Sequence, residues 1–191
     1  MADGHSLPAR LSPFATLFAD IGNDENAGVT LTPRVLEQVQ IDCRPERAGT
    51  ILFPLPKPGH ARAHEGLRLI SLAPQRWMAI APDGADLERR VRVACVASGA
   101  AVVDQSHGRA VLRIAGSLAR DVLAKGSGLD LHPAAFAEDR VASTALFHVA
   151  VTVDRRRGSG TFDLHMPRGF ARSLAERLID AAREYGVAIA G

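Results

Sequence analysis

The same order of features occurs twice along this chain, and a repeat of that kind narrows the fold more than any single motif does. Each copy reads as strand, hairpin, strand, Pro-x-Gly, amphipathic helix, glycine and a short apolar strand. Pro82-Asp83-Gly84 in the first copy matches Pro167-Arg168-Gly169 in the second. Gly99 with Ala100–Val103 matches Gly186 with Val187–Ala190. Short helices crossing hairpin-linked strands predict an α+β fold, built as two related ferredoxin-like (split β-α-β) lobes with antiparallel sheets. The first copy is short of one helix, because a loop holding Pro45, Pro54, Pro56 and Pro58 takes its place.

The local patterns set the expected boundaries. Residues 1–30 mix Pro, Gly, Asn and Asp with one apolar stretch, Phe14–Phe18, and predict a flexible N-terminal segment with a short helix. Residues 31–103 form the reduced first lobe and residues 104–191 the second. Val39 and Ile41 alternate with polar neighbours as a strand does, and Thr50–Phe53 predicts another. Leu67–Leu72 and Trp77–Ile80 form a hairpin. Asp83 is placed to cap a helix with Leu87, Val91, Ala94 and Cys95 on one face. Ala110, Leu112 and Ile114 mark a half-buried strand, and Ser117 opens a helix ending at Gly126. Phe147 to Val153 predicts a strand, followed by the turn Arg155–Gly160. Phe162, Leu164 and Met166 come next, and a last helix spans about 170–185.

Several functional classes lack support. The net charge is only +2 and aromatic residues make up 5% of the 191, too little for a nucleic-acid surface. Two cysteines, Cys43 and Cys95, lie far apart and read as buried reduced thiols. Residues 1–11 carry Asp3 and no apolar core of a signal peptide, and no run of 18 apolar residues occurs, so a cytoplasmic protein without a membrane partner is expected. Gly126-Ser127-Gly128 and Gly158-Ser159-Gly160 fail the dinucleotide pattern at its third glycine. His60 and His64 lie between glycines where a helix is doubtful, so a metal is not expected there. His148 and His165 are expected to pair across neighbouring strands. Asp104, Ser106 and His107 hold the residue types of a triad, yet neighbours in sequence cannot converge as a triad must. A turn that hydrogen-bonds itself is expected instead. No catalytic residue and no metal ligand is expected in the chain.

A long ordered set of segments carries a resemblance. Asp104-Gln-Ser-His-Gly-Arg-Ala-Val-Leu-Arg-Ile-Ala-Gly116, Ala119-Arg-Asp-Val-Leu-Ala-Lys-Gly126, Leu129-Asp-Leu-His-Pro133, Thr161-Phe-Asp-Leu-His-Met-Pro-Arg168 and Glu184-Tyr-Gly186 together resemble the gamma subunits of heterotetrameric sarcosine oxidases. The likeness covers about residues 100–187, fits Arg76–Pro82 loosely and hardly touches residues 1–66. It implies a non-catalytic structural subunit of a flavoenzyme that oxidatively demethylates sarcosine or a related N-methyl amine. The alpha subunit would be its main contact, with beta and delta subunits completing the set. FAD, FMN, NAD, tetrahydrofolate and zinc would sit on those other chains, with no cofactor in this one. The family is similar in fold to the folate-binding domain of aminomethyltransferases such as the glycine-cleavage T-protein.

That second likeness implies an alternative, a free-standing folate-binding or aminomethyltransferase-like protein. An Asp-x-Ser-His turn resembles Asp104–His107, and a later strand carboxylate that grips the pterin corresponds to Asp163. Paired acceptor oxygens suit two parallel N–H donors. The expected docking elements are Phe14 and Phe18 in the N-terminal segment, the Pro-rich loop 44–66, and the basic hairpin tip Arg155-Arg156-Arg157.

Overall fold

Period-two alternation of apolar residues builds most of this protein, with short amphipathic helices laid over the apolar side of each sheet. The computed structural model describes residues 12–19, 27–158 and 160–190. In chain order they form α1 (Ala15–Phe18), β1 (Val29–Arg34), β2 (Leu36–Asp42), α2 (Pro45–Ala48), β3 (Ala61–His64), β4 (Leu67–Ala73), β5 (Arg76–Pro82), α3 (Leu87–Cys95), β6 (Ala101–Asp104), β7 (Arg109–Ala115), α4 (Ala119–Ala124), β8 (Val141–Leu146), β9 (Val149–Arg155), β10 (Phe162–Pro167), α5 (Ala171–Ala182) and β11 (Val187–Ile189).

The strands make two sheets, ordered β3-β4-β5-β2-β6 and β11-β1-β7-β10-β9-β8. Each contains the split β-α-β order. In the first sheet β6, β2, β5 and β4 follow it, with β3 added at the edge. In the second, β11, β7, β10 and β9 follow it, with β8 added. The repeated pattern in the sequence is therefore a repeated topology. Helix α3 follows β5 as α5 follows β10, and the four-residue α2 stands where the second lobe has α4.

The start of the first lobe at residue 31 needs correction. β1 does not join the rest of the first lobe. It inserts into the second sheet between β7 and β11, antiparallel to the former and parallel to the latter. Val29 and Leu31 point into the second lobe's core, so burial of those side chains decides the pairing. The Phe14–Phe18 stretch follows the same path. Phe14 and Phe18 stack on each other, buried in that core, and are not a docking surface. Residues 1–11 and 20–26 of the expected flexible segment lie outside the described residues.

Other differences are local. Thr50–Phe53 forms turns and bends, not a strand, while Ile51 still packs into the first lobe. β8, Val-Ala-Ser-Thr-Ala-Leu, carries too little apolar alternation to be read as a strand in advance. Phe147 and His148 form the β8–β9 turn at φ 48° and 69°, which displaces Phe147 from the expected strand. Helix α3 begins at Leu87 instead of near Asp83. Its first N–H donates to the Glu37 carboxylate of β2 at 2.6 Å, so a neighbouring strand supplies the cap. The Pro-rich loop also folds back on its own lobe, where Trp77 Nε1 donates to the Pro56 carbonyl at 3.0 Å.

Three apolar clusters result. One fills the second lobe between its sheet and α1, α4 and α5. Another lies under α3 in the first lobe. A smaller one, with Ala61, Ile70, Met78, Ile80 and Val141, joins the two sheets. The layers therefore stack helix, sheet, sheet, helix. Backbone bonds from Val141 to Gly59 and from Ala61 to Asp139 stitch the β3 and β8 edges together.

Glycine is required where strands of the second sheet approach closely. Gly116 has φ +130°, and a methyl group there would collide with the Gly28 backbone. Gly160, at φ +61°, would collide with Gly116 in the same way. Neither obstacle is a flexible side-chain end, so the strain cannot relax cheaply. Gly116→Ala is expected to cost about 2 kcal/mol or more and lower the melting temperature by roughly 5 °C. Gly66→Ala meets no neighbour, although its φ of +78° adds modest strain of its own. Thermal denaturation of both variants should rank Gly116→Ala as clearly the less stable.

Candidate functional site

The sheets meet through their polar faces, and the charges there are mutually arranged. Asp154 on β9 and Asp163 on β10 are direct cross-strand partners. Like charges so placed repel, and both residues are buried, so each needs a cation. Arg113, opposite Asp163 on β7, donates Nε and Nη2 to its two oxygens at 2.7 and 2.9 Å. Asp154 draws its cation from the other sheet. Arg68 of β4 donates Nε and Nη2 to it at 3.0 and 2.5 Å, and Nη1 to Asp139 at 2.5 Å. Arg156 stands between the two carboxylates at 3.5 and 3.6 Å.

The pKa shifts follow these pairings. Burial alone would raise the Asp163 carboxyl, but the Arg113 hydrogen bonds and charge overcome it and hold the group below its usual range. Asp139 is held down in the same way by Arg68 and Arg157. Burial works to lower the Arg68 guanidinium, while Asp154 and Asp139 outweigh it and raise the value.

Beside this network lies a second set of contacts between the lobes, centred on Gln38. Its backbone N–H donates to Ser106 Oγ at 2.9 Å, and its carbonyl accepts from Gln105 N at 2.7 Å. Asp104 Oδ1 in turn accepts from Ser106 N at 2.9 Å and from Ser106 Oγ at 2.5 Å. The Asp104–His107 turn thus bonds itself as expected, and also grips β2. The Gln38 side chain reaches across the sheets, placing Oε1 3.1 Å from His165 Nδ1. His165 is 1% exposed, and burial pushes its pKa down to about 4. Neutral imidazole must donate Nδ1–H to that oxygen, which leaves Nε2 as an acceptor. Nε2 has no partner. His165 does not pair with His148, which sits in the β8–β9 turn.

A cleft of about 450 Å³ opens between the sheets over these groups. Arg34, Arg68, Arg113, Arg156, Asp163 and His165 supply its polar wall. Leu36, Ile80 and Pro82 lie along the first sheet's side.

The residues singled out in the sequence have unequal fates. Asp163 lines the cleft, yet both its oxygens already accept from Arg113, so it does not offer a pterin the free acceptor pair expected of it. Arg155 is not a tip residue. Its side chain shares the apolar side of the sheet with Phe162, lies 5.0 Å from that ring, and donates Nη1 to the Arg156 and Thr161 carbonyls. Arg156 serves the carboxylate pair. Only Arg157, 79% exposed and paired with Asp139, is oriented outward. His60 and His64 flank and end a strand, and His60 contacts the Pro58 carbonyl and Arg140. Among the described residues no group of three or more His, Cys, Asp or Glu is arranged to hold a metal. Cys43 and Cys95 are free and buried, and burial followed by the nearby Cys43 raises the Cys95 thiol to about 11. No described helix is long and apolar enough to cross a membrane. Arg68, Asp154 and Gln38 were missed in the sequence, where each looks like an ordinary polar strand position.

Comparison with known proteins is consistent across three levels. The model of the sarcosine oxidase, gamma subunit family matches residues 55–184. The sarcosine oxidase subunit gamma of Arthrobacter sp is 35% identical over 126 residues, covering 65% of this chain and 61% of that protein. Its counterpart in Corynebacterium sp. (strain P-1) is 33% identical over 121 residues, covering 63% and 59%. The matched part thus spans about three-fifths of these relatives' length. A chain of the heterotetrameric sarcosine oxidase from Corynebacterium sp. U-96, solved in complex with pyrrole 2-carboxylate, superposes with a TM-score of 0.81 at 26% identity, covering 95% of this chain and 99% of that one. The glycine cleavage system aminomethyltransferase T from Bartonella henselae shares the fold, with a TM-score of 0.67 at 21% identity over 87% of this chain and 48% of its own.

Two outcomes are expected from the buried charges. Arg68→Met leaves Asp154 with only the long Arg156 contact, and should cost about 3–5 kcal/mol in urea unfolding. The double variant Arg68→Met/Asp154→Leu removes the stranded charge and should recover most of that loss. His165 supplies a pH dependence. The native ring stays neutral down to about pH 4, whereas the unfolded ring takes up a proton near its ordinary value of 6.5. The unfolded state therefore binds more protons between those values, and stability falls as pH falls through that window. The slope should approach about 1.4 kcal/mol per pH unit and flatten in His165→Gln. The depressed carboxylates begin to contribute with the same sign below about pH 5, as the unfolded acids take up protons, so unfolding free energies measured from pH 7 to about pH 5 report the histidine.

Proposed function

The chain belongs to the sarcosine oxidase, gamma subunit family, and we propose that it is the non-catalytic structural subunit of a heterotetrameric oxidase acting on sarcosine or a related N-methyl amine. The observation that carries this reading is the superposition over 99% of the matching chain of the Corynebacterium sp. U-96 complex, at 26% identity. The internal chemistry agrees. The buried acids and arginines neutralise one another and hold two lobes together, as a rigid packing element requires. On this reading the partners are an alpha subunit as main contact and beta and delta subunits beyond it. FAD, FMN, NAD, tetrahydrofolate and zinc belong to those chains, and the complex is cytoplasmic. The free-standing folate-binding alternative loses support at Asp163, whose oxygens are taken by Arg113.

Co-expression with the neighbouring alpha-, beta- and delta-type chains provides the test. The chain should co-elute with them in size-exclusion chromatography as one equimolar species that oxidises sarcosine and carries flavin. If it elutes alone while the other three assemble into an active complex without it, the subunit reading fails.

A further inference from the structure

Among the described residues, the inter-sheet cleft contains two polar groups that the ion network does not use. Arg34 ends β1 at an exposed position, and its side chain makes no ion pair or hydrogen bond with the described residues. His165 lies on the same face of the same sheet. It pairs with Val111 across β10 and β7, and Val111 pairs with Arg34 across β7 and β1. Two strand spacings separate them, about 10 Å between Cα atoms. His165 lines the cleft, and its Nε2 is unpartnered and closed off in the unliganded chain.

Charge sets the sign of what fits. Four arginines line the cleft, with Arg157 beside them on Asp139, and these five face four carboxylates, Asp163 and Glu65 in the wall and Asp154 and Asp139 behind it on Arg68. One positive charge is left over. Arg156 is held only by contacts of 3.5 and 3.6 Å, so its donors are weakly committed. The opposite wall is aliphatic, and a volume of about 450 Å³ lies in the range of small-molecule sites.

We propose that this cleft binds a small organic monoanion that has an apolar body and one N–H or O–H donor. The anionic group sits on Arg34 and Arg156, since a guanidinium fork matches a carboxylate. The body lies against Leu36 and Ile80. The donor reaches His165 Nε2, which binding uncovers and which as an acceptor selects a hydrogen-bearing atom. Binding is a property of this chain by itself, so its test does not depend on assembly with other subunits.

Indole-2-carboxylate has all three features and serves as the probe. Indole lacks the anion and 1-methylindole-2-carboxylate lacks the donor. NMR titration of the full-length chain should give a dissociation constant of roughly 1 mM or below for the full probe. It should give at least roughly tenfold weaker binding for each of the other two. The His165 ring nitrogen resonances should move with indole-2-carboxylate and not with its methylated analogue. Arg34→Gln changes an exposed side chain, leaves the fold intact by its amide spectrum, and should weaken the probe roughly tenfold. Absence of shifts up to about 10 mM overturns the proposal. So does equal binding of the methylated analogue, or affinity unchanged in Arg34→Gln.

Discussion

The arrangement of this protein depends on Arg68 reaching from one sheet into the other. Asp154 is fully buried, and its cross-strand neighbour is another aspartate. No residue of its own sheet gives it a close cation, because Arg113 is committed to Asp163 and Arg156 is shared at long range. The second sheet can bury its polar face only if the first lobe brings a guanidinium to it. Each lobe has its own apolar core, but the charge balance of the interface is shared. Removing one partner of such a pair costs far more than the intact pair contributes, so the two lobes are committed to each other.

That commitment has a defined geometry. An apolar face tolerates sliding, whereas a two-pronged contact from Arg68 to Asp154, with a third donor on Asp139, has one register. Gln38 adds a second fixed point through its backbone to the Asp104–Ser106 turn and its side chain to His165. These two contacts, together with the small apolar cluster between the sheets, set the opening of the cleft. β1 reinforces this arrangement, because it leaves the second sheet at Arg34 and enters the first as β2 only two residues later. A connection that short cannot absorb a change in the angle between the sheets.

The sequence made the repeat, the hairpins and the two long amphipathic helices legible, since each depends on local apolar spacing. It could not show what covers a polar face. Alternation in Phe162-Asp-Leu-His-Met166 separates two sides of a strand, and Asp163 and His165 then read as facing water. They are buried because another sheet lies over them. Arg155 misleads in the reverse sense. It belongs to a run of three arginines, yet strand parity turns it inward beside Phe162 while Arg156 and Arg157 face the other way or outward. β1 escaped because its partner choice is a long-range matter. Val29 and Leu31 fit either sheet by pattern, and only the gap between β7 and β11 in the assembled second sheet takes them.

The same reasoning explains why folate-like chemistry does not follow from a folate-like fold. A fold supplies positions, and a site requires groups left free at them. At Asp163 the carboxylate is present, buried and directed into a cleft, which would satisfy a search by residue type. Both its oxygens are held by Arg113, and that pairing is what permits the carboxylate to be buried beside Asp154. Turning Asp163 away from Arg113 would expose the aspartate pair to its own repulsion, so its first role is to balance charge between the sheets. The groups left uncommitted, Arg34 and His165 Nε2, lie one row further along the sheet. Any ligand recognition in this cleft must be built from those.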